Sequence, residues 1–139
     1  MVWSSAGSVN RAAGAGWVGM WSVMFTTERA VAGLVQATSF AEGLDLIWLG
    51  DELGKACEDL TARHAADVVG ASALDLGPVI APRDVSDARE VIAGMLTSAI
   101  QRADELAVDA SPQADLLWLS GLTASLSAAR AHLIGAGAR

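Results

Sequence analysis

Two histidines and one aspartate are the residues of this chain whose types and spacing come nearest to a metal site. His64 and His132 each fall late in a predicted helix, and Asp67 follows His64 by about one turn. Two imidazoles and one carboxylate bind iron or zinc in other proteins. The simpler interpretation is a histidine stabilised by the carbonyl groups at a helix end. We therefore keep these three residues as the metal candidates, and predict that the chain uses no metal or other cofactor.

The single cysteine, Cys57, has no histidine within one helical turn. His64 lies seven residues further on, about 10.5 Å along a helix, which is too far for direct activation of the thiol. We expect Cys57 to be a small core residue. The Glu-x-x-His pattern of diiron bundles is also missing, since Thr61 and Ala129 stand three residues before the two histidines. No catalytic constellation is predicted, and the chain is expected not to be an enzyme.

The composition is apolar and acidic. Hydrophobic residues make up 53% of the chain and charged residues 18%, and there is no tyrosine; with alanine abundant, this favours packed helices over strands. Nine basic residues are scattered among sixteen acidic ones, giving a net charge of −7. That balance argues against binding nucleic acid or anionic lipid. One cysteine excludes an internal disulfide framework, and the preference for arginine over lysine suggests a bacterial genome rich in GC.

Residues 1–25 differ from the rest of the chain. They hold one charged residue, Arg11, and three of the five tryptophans. The apolar run after Arg11 resembles an export signal, but glycines interrupt it and Glu28 stands close to the only cleavage-like site; the run is also too short to span a bilayer. We predict a disordered or loosely docked leader and a cytoplasmic protein, with export as the alternative. It also stays open whether Met24 begins the natural protein.

The remaining residues, 26–139, predict one domain of four amphipathic helices. The predicted helices cover about 27–41, 45–70, 85–108 and 111–134, and the glycine- and proline-containing segment 71–84 is a linker. The second helix carries its apolar stripe at Leu46, Leu49, Leu53, Cys57, Leu60 and His64. Helices with one apolar stripe each bury those stripes against one another, so the predicted fold is an all-α four-helix bundle.

Two pairs of similar segments suggest that the bundle consists of two related hairpins, 26–70 and 84–135. Asp-Leu-Ile-Trp-Leu at 45–49 matches Asp-Leu-Leu-Trp-Leu at 115–119 at four of five positions. Ala32-Gly33 in the first predicted helix likewise parallels Ala93-Gly94 in the third. Because the two matches occur in the same order, a duplicated helical hairpin is predicted.

An exposed aromatic surface is the main functional prediction. On a helical projection Trp48 points away from the apolar stripe of its helix. With Trp17, Trp21 and Phe25 it could form an exposed apolar patch, and such patches mark partner-binding sites. The sequence therefore predicts a small acidic module that acts by protein–protein interaction, either with another protein or as a homodimer.

A second function class comes from Trp48-Leu49-Gly50, which is similar to the Trp-x-Gly signature of small helical-hairpin secretion substrates. The resemblance implies a secreted helical effector or secretion substrate. This sequence departs from the family in two respects: the signature falls inside a predicted helix rather than in the turn between helices, and a chain without tyrosine cannot carry the family's downstream tyrosine motif. A metal-binding bundle that uses the two helix-end histidines is the third alternative.

Overall fold

The computed structural model describes residues 7, 10–11, 13–69, 82–108 and 113–137. Within these residues the chain forms four helices and no strand. Their bounds are Gly16–Gln36 (α1), Phe40–Arg63 (α2), Pro82–Val108 (α3) and Gln113–Gly137 (α4). Helix α1 packs on α2 and α3 packs on α4. The prediction of an all-α bundle of two helical hairpins is confirmed; their common ancestry stays a prediction.

Neighbouring helices run antiparallel all around the bundle. Trp21, early in α1, contacts Thr61, late in α2, and Arg102, late in α3, contacts the chain just before α1. His64, just after α2, contacts Asp115 at the start of α4. Helices α2 and α3 therefore begin at the same end, which we name the Asp45 end. The opposite end, where α2 finishes and α1 and α4 begin, is the His64 end.

The core lies where the apolar stripes of the four helices meet. The predicted stripe of α2 is buried as expected, with Leu46, Leu53 and Leu60 fully inaccessible. Its last member, His64, sits at the margin of the core, with a side chain that is 14% exposed. The other helices contribute, among others, Met20, Met24, Leu34, Ile92, Met95, Leu96, Leu119 and Leu126. A stripe that is several turns long on each helix thus fixes the bundle.

Helix α1 starts at Gly16, whereas the sequence predicted a helix from about residue 27. Met24 is fully buried in the core, so residues 16–25 belong to the bundle rather than to a leader. Thr27 is the first residue of the helix predicted over about 27–41. It lies instead in the middle of α1, where its hydroxyl donates to the carbonyl of Val23 at 2.6 Å. Such a back-bond satisfies a buried threonine without ending a helix.

The described residues just before α1 are held against α3 by Arg102. Its guanidinium donates to Asn10 Oδ1 and to the carbonyls of Asn10 and Gly14, at 2.7, 2.8 and 2.7 Å. Gly19 is required at this contact, because a Cβ there would collide with the Gly14 carbonyl and with Arg102. Gly16 has φ of +65°, in the left-handed region that glycine tolerates. The glycines that weaken the helical pattern therefore allow this close approach.

Helix α2 begins at Phe40, so the predicted break before Asp45 lies inside the helix. The turn between α1 and α2 is only three residues long, and the Gly43 amide donates to the Ser39 carbonyl at 2.9 Å to close the first turn of α2. Residues 71–81 of the predicted linker lie outside the described residues, and residues 82–84 belong to α3. Among the described helices, none is long and apolar enough to cross a membrane.

Candidate functional site

The face between α2 and α4 is the most open side of the bundle. These two helices pack against each other much less extensively than the other neighbouring pairs do, and two adjacent hollows of about 510 and 350 Å³ lie between them. We call them together the α2/α4 groove. From α2 it is lined by Asp45, Leu46, Trp48, Leu49, Asp51, Glu52, Lys55, Ala56 and Asp59; from α4 by Leu117, Trp118, Gly121, Leu122, Ser125, Ala129, His132 and Leu133.

Small side chains on α4 keep the groove open. Gly121, Ser125 and Ala129 recur at intervals of four residues, so they share one face of the helix. A Cβ added at Gly121 would meet nothing within 4 Å. The floor therefore has room for side chains supplied from outside the chain.

Acidic side chains dominate the rim of this groove. Lys55, the only lysine of the chain, lies 3.2 Å from Asp51, and this hydrogen bond raises the lysine pKa. Asp45 pairs with Arg89 at 3.6 Å. Glu52 and Asp59 form no ion pair with any residue that the structure describes. The groove thus presents apolar surface edged by negative charge.

Trp48 stands beside the larger hollow and is 69% exposed. A tryptophan this exposed contributes little to the stability of the fold, and it offers a large apolar surface to another molecule. Further exposed apolar side chains on the same two helices are Phe40, Leu44, Ile47, Leu116, Leu117 and Ile134. The outward direction predicted for Trp48 is therefore observed.

The other three residues of the predicted patch lie elsewhere. Trp17 stacks on the His64 ring at the His64 end, with centroids 3.9 Å apart. Trp21 packs against Phe25, with ring centroids 4.7 Å apart, in a cleft between α1 and α2. All three are partly buried against the core. The structure does not bring them to Trp48. Trp17 lies at the other end of the bundle, and Trp21 and Phe25 lie in the cleft between α1 and α2.

The predicted metal candidates do not converge on one point. His64 Nδ1 lies 2.9 Å from Asp67 Oδ2, whereas its Nε2 lies 3.0 Å from Asp115 Oδ2 on the other edge of the ring. His132 lines the α2/α4 groove near the Asp45 end, far along the bundle from His64. Within the described residues no group of three or more His, Cys, Asp or Glu side chains could hold a metal ion.

The contacts of His64 also bear on catalysis. Both ring nitrogens lie within hydrogen-bond distance of carboxylate oxygens of this chain, Asp67 Oδ2 at 2.9 Å and Asp115 Oδ2 at 3.0 Å. Arg63 adds a cation, with Nη1 3.8 Å from Asp115 Oδ1 and its guanidinium 5.7 Å from the Trp118 ring centroid. Neither nitrogen of the His64 ring is therefore free to contact a substrate. Together with Trp17 and Trp118, Arg63, His64 and Asp115 form a cluster that connects α1, α2 and α4. We call this cluster the clasp.

Cys57 is a core residue, as the sequence suggested. Burial, and then the charges of Glu28 and Glu58, raise the pKa of its thiol to about 12. The thiolate, which is the nucleophilic form, is therefore scarce near neutral pH. The geometry supports no role for Cys57 in covalent chemistry.

Sequence reasoning missed the α2/α4 groove and the burial of Asp115. The groove depends on which helices become neighbours, and helical periodicity does not encode that. The repeated segment could have indicated the burial of Asp115, since an aspartate begins both copies, at 45 and 115, and all the other residues of both copies are apolar. Comparison of the chain with protein-family models, curated proteins and solved structures finds no match.

Proposed function

We propose that this protein is a docking module that binds a basic amphipathic helix of a partner protein in the α2/α4 groove. The observation that carries the proposal is an exposed Trp48 beside an apolar hollow with an acidic rim. A groove between two helices accepts the apolar face of a third helix, and tryptophan is enriched among the residues that dominate binding energy.

The dimensions of the groove match such a ligand. Its lining on α2 runs from Asp45 to Asp59, which is about 21 Å along a helix, or about four turns. A partner helix of about four turns would place an apolar residue on the floor at each turn. Gly121 and Ser125 leave room for those side chains opposite α2.

Charge favours a foreign helix over a second copy of this chain. Two copies that met through this face would bring two acidic rims together, and each chain carries a net charge of −7. Like charges placed opposite one another across an interface disfavour association. A partner helix with lysine or arginine at its edges would instead pair with Glu52 and Asp59, which have no ion pair among the described residues.

The test uses designed peptides as probes. A fluorescently labelled 16-residue leucine/lysine amphipathic helix is titrated with the full chain and followed by anisotropy, beside a leucine/glutamate peptide with the same apolar stripe. A third peptide has the leucine/lysine composition with its stripe scrambled. We expect binding of the first peptide alone, because it alone offers both the stripe and the positive charge.

A groove-filling variant separates docking from general attraction to an acidic protein. Gly121→Leu fills the floor without changing any charge, and nothing lies within 4 Å of a Cβ there to disturb the fold. We expect this variant to bind the peptide at least about tenfold less tightly. Ala124→Leu, at an exposed position of α4 that does not line the groove, is the matched control and should bind as the parent chain does.

Two results would remove the proposal. One is equal peptide binding by the Gly121→Leu and Ala124→Leu variants. The other is a dimer at micromolar concentration that Gly121→Leu dissociates, which would make the occupant a second copy. Sizing by light scattering at several concentrations distinguishes these outcomes.

The proposal places the module in the cytoplasm, where a lone thiol such as Cys57 stays reduced. Fractionation of cells that express the intact chain tests the location. Recovery of a processed chain outside the cell would favour the secreted effector instead.

A further inference from the structure

A second concave surface, between α1 and α2, has a different chemistry from the α2/α4 groove. This α1/α2 cleft has a volume of about 470 Å³ and lies on the flank of α2 that faces away from α4. It is lined by Trp21, Phe25 and Glu28 of α1 and by Gly54, Cys57, Glu58, Thr61 and Ala62 of α2. Aromatic rings and carboxylates thus border one space.

The aromatic wall is fixed in place. The Trp21 indole N–H donates to Thr61 Oγ1 at 3.1 Å, and that hydroxyl donates to the Cys57 carbonyl at 2.9 Å. Phe25 packs against Trp21 with ring centroids 4.7 Å apart. A ring held by a hydrogen bond across two helices loses little further freedom when a ligand packs on it, so this wall is preorganised.

The carboxylates of the cleft have no positively charged partner in the cleft. Neither Glu28 nor Glu58 forms an ion pair with a residue in the described part of the chain. Burial, and then repulsion by Glu58, raise the pKa of Glu28, although Arg29 opposes the shift. A positive group between the two carboxylates would relieve that repulsion. The absence of a side chain at Gly54 leaves space for Glu28, whose Oε1 would lie 3.3 Å from a Cβ there.

We propose that the α1/α2 cleft binds an alkylammonium group, with its charge between Glu28 and Glu58 and its alkyl surface against Trp21 and Phe25. Aromatic faces attract organic cations through the ring quadrupole, and carboxylates supply the opposite charge. A bare metal ion fits less well, because the cleft offers carboxylates from only two residues and the described residues hold no metal-binding group.

The group can come from a free small molecule or from a lysine side chain of another protein, so the probes represent both. Choline and Nα-acetyl-lysine methylamide are titrated separately into the ¹⁵N-labelled full chain. The indole ¹H–¹⁵N signal of Trp21, assigned with the Trp21→Phe variant, reports binding. The neutral choline analogue 3,3-dimethyl-1-butanol has the same shape without the charge. We expect saturable shifts of the Trp21 signal with at least one cation and none with the neutral analogue.

Variants test each wall of the cleft. The double variant Glu28→Gln with Glu58→Gln should weaken binding about fivefold, since both ion pairs are lost. Phe25→Leu keeps an apolar side chain but removes the ring, and should weaken binding about threefold. Glu90→Gln removes a carboxylate charge from an exposed position of α3 that lines neither the cleft nor the α2/α4 groove, and should leave binding unchanged. Circular dichroism confirms that each variant is folded.

Binding of choline alone identifies the ligand as a free small molecule, and binding of the lysine derivative alone identifies it as a protein side chain. The proposal is overturned if neither cation shifts the Trp21 signal. It is equally overturned if the neutral analogue binds as well as choline, or if the double variant and Glu90→Gln bind alike. None of these results depends on peptide binding in the α2/α4 groove.

Discussion

The segments 45–49 and 115–119 are nearly identical in sequence but differ in environment. Trp48 is 69% exposed, whereas Trp118 is partly buried and lies 6.5 Å from Trp17, measured between ring centroids. Asp45 pairs with Arg89 at 3.6 Å. Asp115 is only 7% exposed. Its carboxylate lies 3.8 Å from Arg63 Nη1 and 3.0 Å from His64 Nε2.

The difference arises from what lies opposite each segment. At the His64 end, Trp17 of α1, Arg63 at the end of α2 and His64 just after it cover the second segment. At the Asp45 end the corresponding tryptophan borders an open hollow of about 510 Å³. The same short pattern therefore forms a structural clasp at one end of the bundle and a candidate docking surface at the other.

Removing residues 1–23 should have the largest effect, because it takes away Trp17 from the His64 end together with core residues. Met20 and Val23 are fully buried, and burial of each contributes about 1.5–3 kcal/mol. Their joint loss is a large part of the about 5–15 kcal/mol that stabilises a small domain. We expect the truncated chain to lose its cooperative thermal transition in calorimetry. Trp17→Leu, which leaves the core in place, should retain that transition; a truncated chain that melts like the intact one would show that α1 begins later.

Neutralising the two aspartates separately should give unequal costs. Asp115→Ala leaves Arg63 and His64 without their shared carboxylate in a partly buried cluster, and should lower the free energy of unfolding by about 2–4 kcal/mol. Asp45→Ala removes one longer ion pair between two side chains that are each 17% exposed, and should cost less, about 1–2 kcal/mol. Urea unfolding of both variants measures the difference. Equal costs would mean that the clasp at the His64 end adds nothing beyond an ordinary ion pair.

The two tryptophans should show opposite patterns. Trp118→Ala should lower the free energy of unfolding by about 1–3 kcal/mol, because a partly buried ring is lost from the cluster. Trp48→Ala should change it by less than about 0.5 kcal/mol, yet weaken binding of the basic peptide about tenfold. Urea unfolding and anisotropy on the same two proteins test the pattern. If Trp48→Ala instead destabilised the fold, its ring would have to be covered in solution.

The buried thiol of Cys57 should give a smaller effect, which appears in the pH dependence of the unfolding free energy. Its folded pKa of about 12 exceeds the ordinary value of 9.0, so its contribution to stability is complete below about pH 9 and is lost as pH rises towards 12. Cys57→Ala should therefore flatten the decline of unfolding free energy over this range, as urea titrations at several pH values would show. A decline unchanged in the variant would assign it to other groups.

Alkylation of the same thiol measures local opening in the aspartate variants. At pH 8 the shift from 9.0 to about 12 lowers the thiolate fraction about 1,000-fold, so iodoacetamide reacts mainly when the helices separate. We expect labelling of Asp115→Ala to be about tenfold faster than labelling of Asp45→Ala, because the His64 end is then released. Similar labelling rates in the two variants would show that the contacts of Asp115 do not control the opening that exposes Cys57.

Part of the candidate site could be predicted from the sequence. The direction of Trp48 follows from a local rule, because its offset from Leu46 and Leu49 places it on the outer side of α2. The sequence did not predict that Trp48 is separated from Trp17, Trp21 and Phe25, since this depends on the antiparallel direction of α1 and α2 and on where α1 packs against α2. The start of α1 was missed because Gly16 and Gly19 resemble helix breakers until their contacts with the preceding chain are known.

By itself the sequence determined that this chain forms helices, which face of each is buried and that the surface is acidic. These properties follow from periodicity and charge, which act between residues close in the chain. Only the tertiary structure decided that α2 lies beside α4 with an open groove, and that Asp115, but not Asp45, is covered by His64 and Arg63. Those outcomes depend on which stripes meet and in which direction, and apolar stripes of similar width can be buried against one another in more than one arrangement.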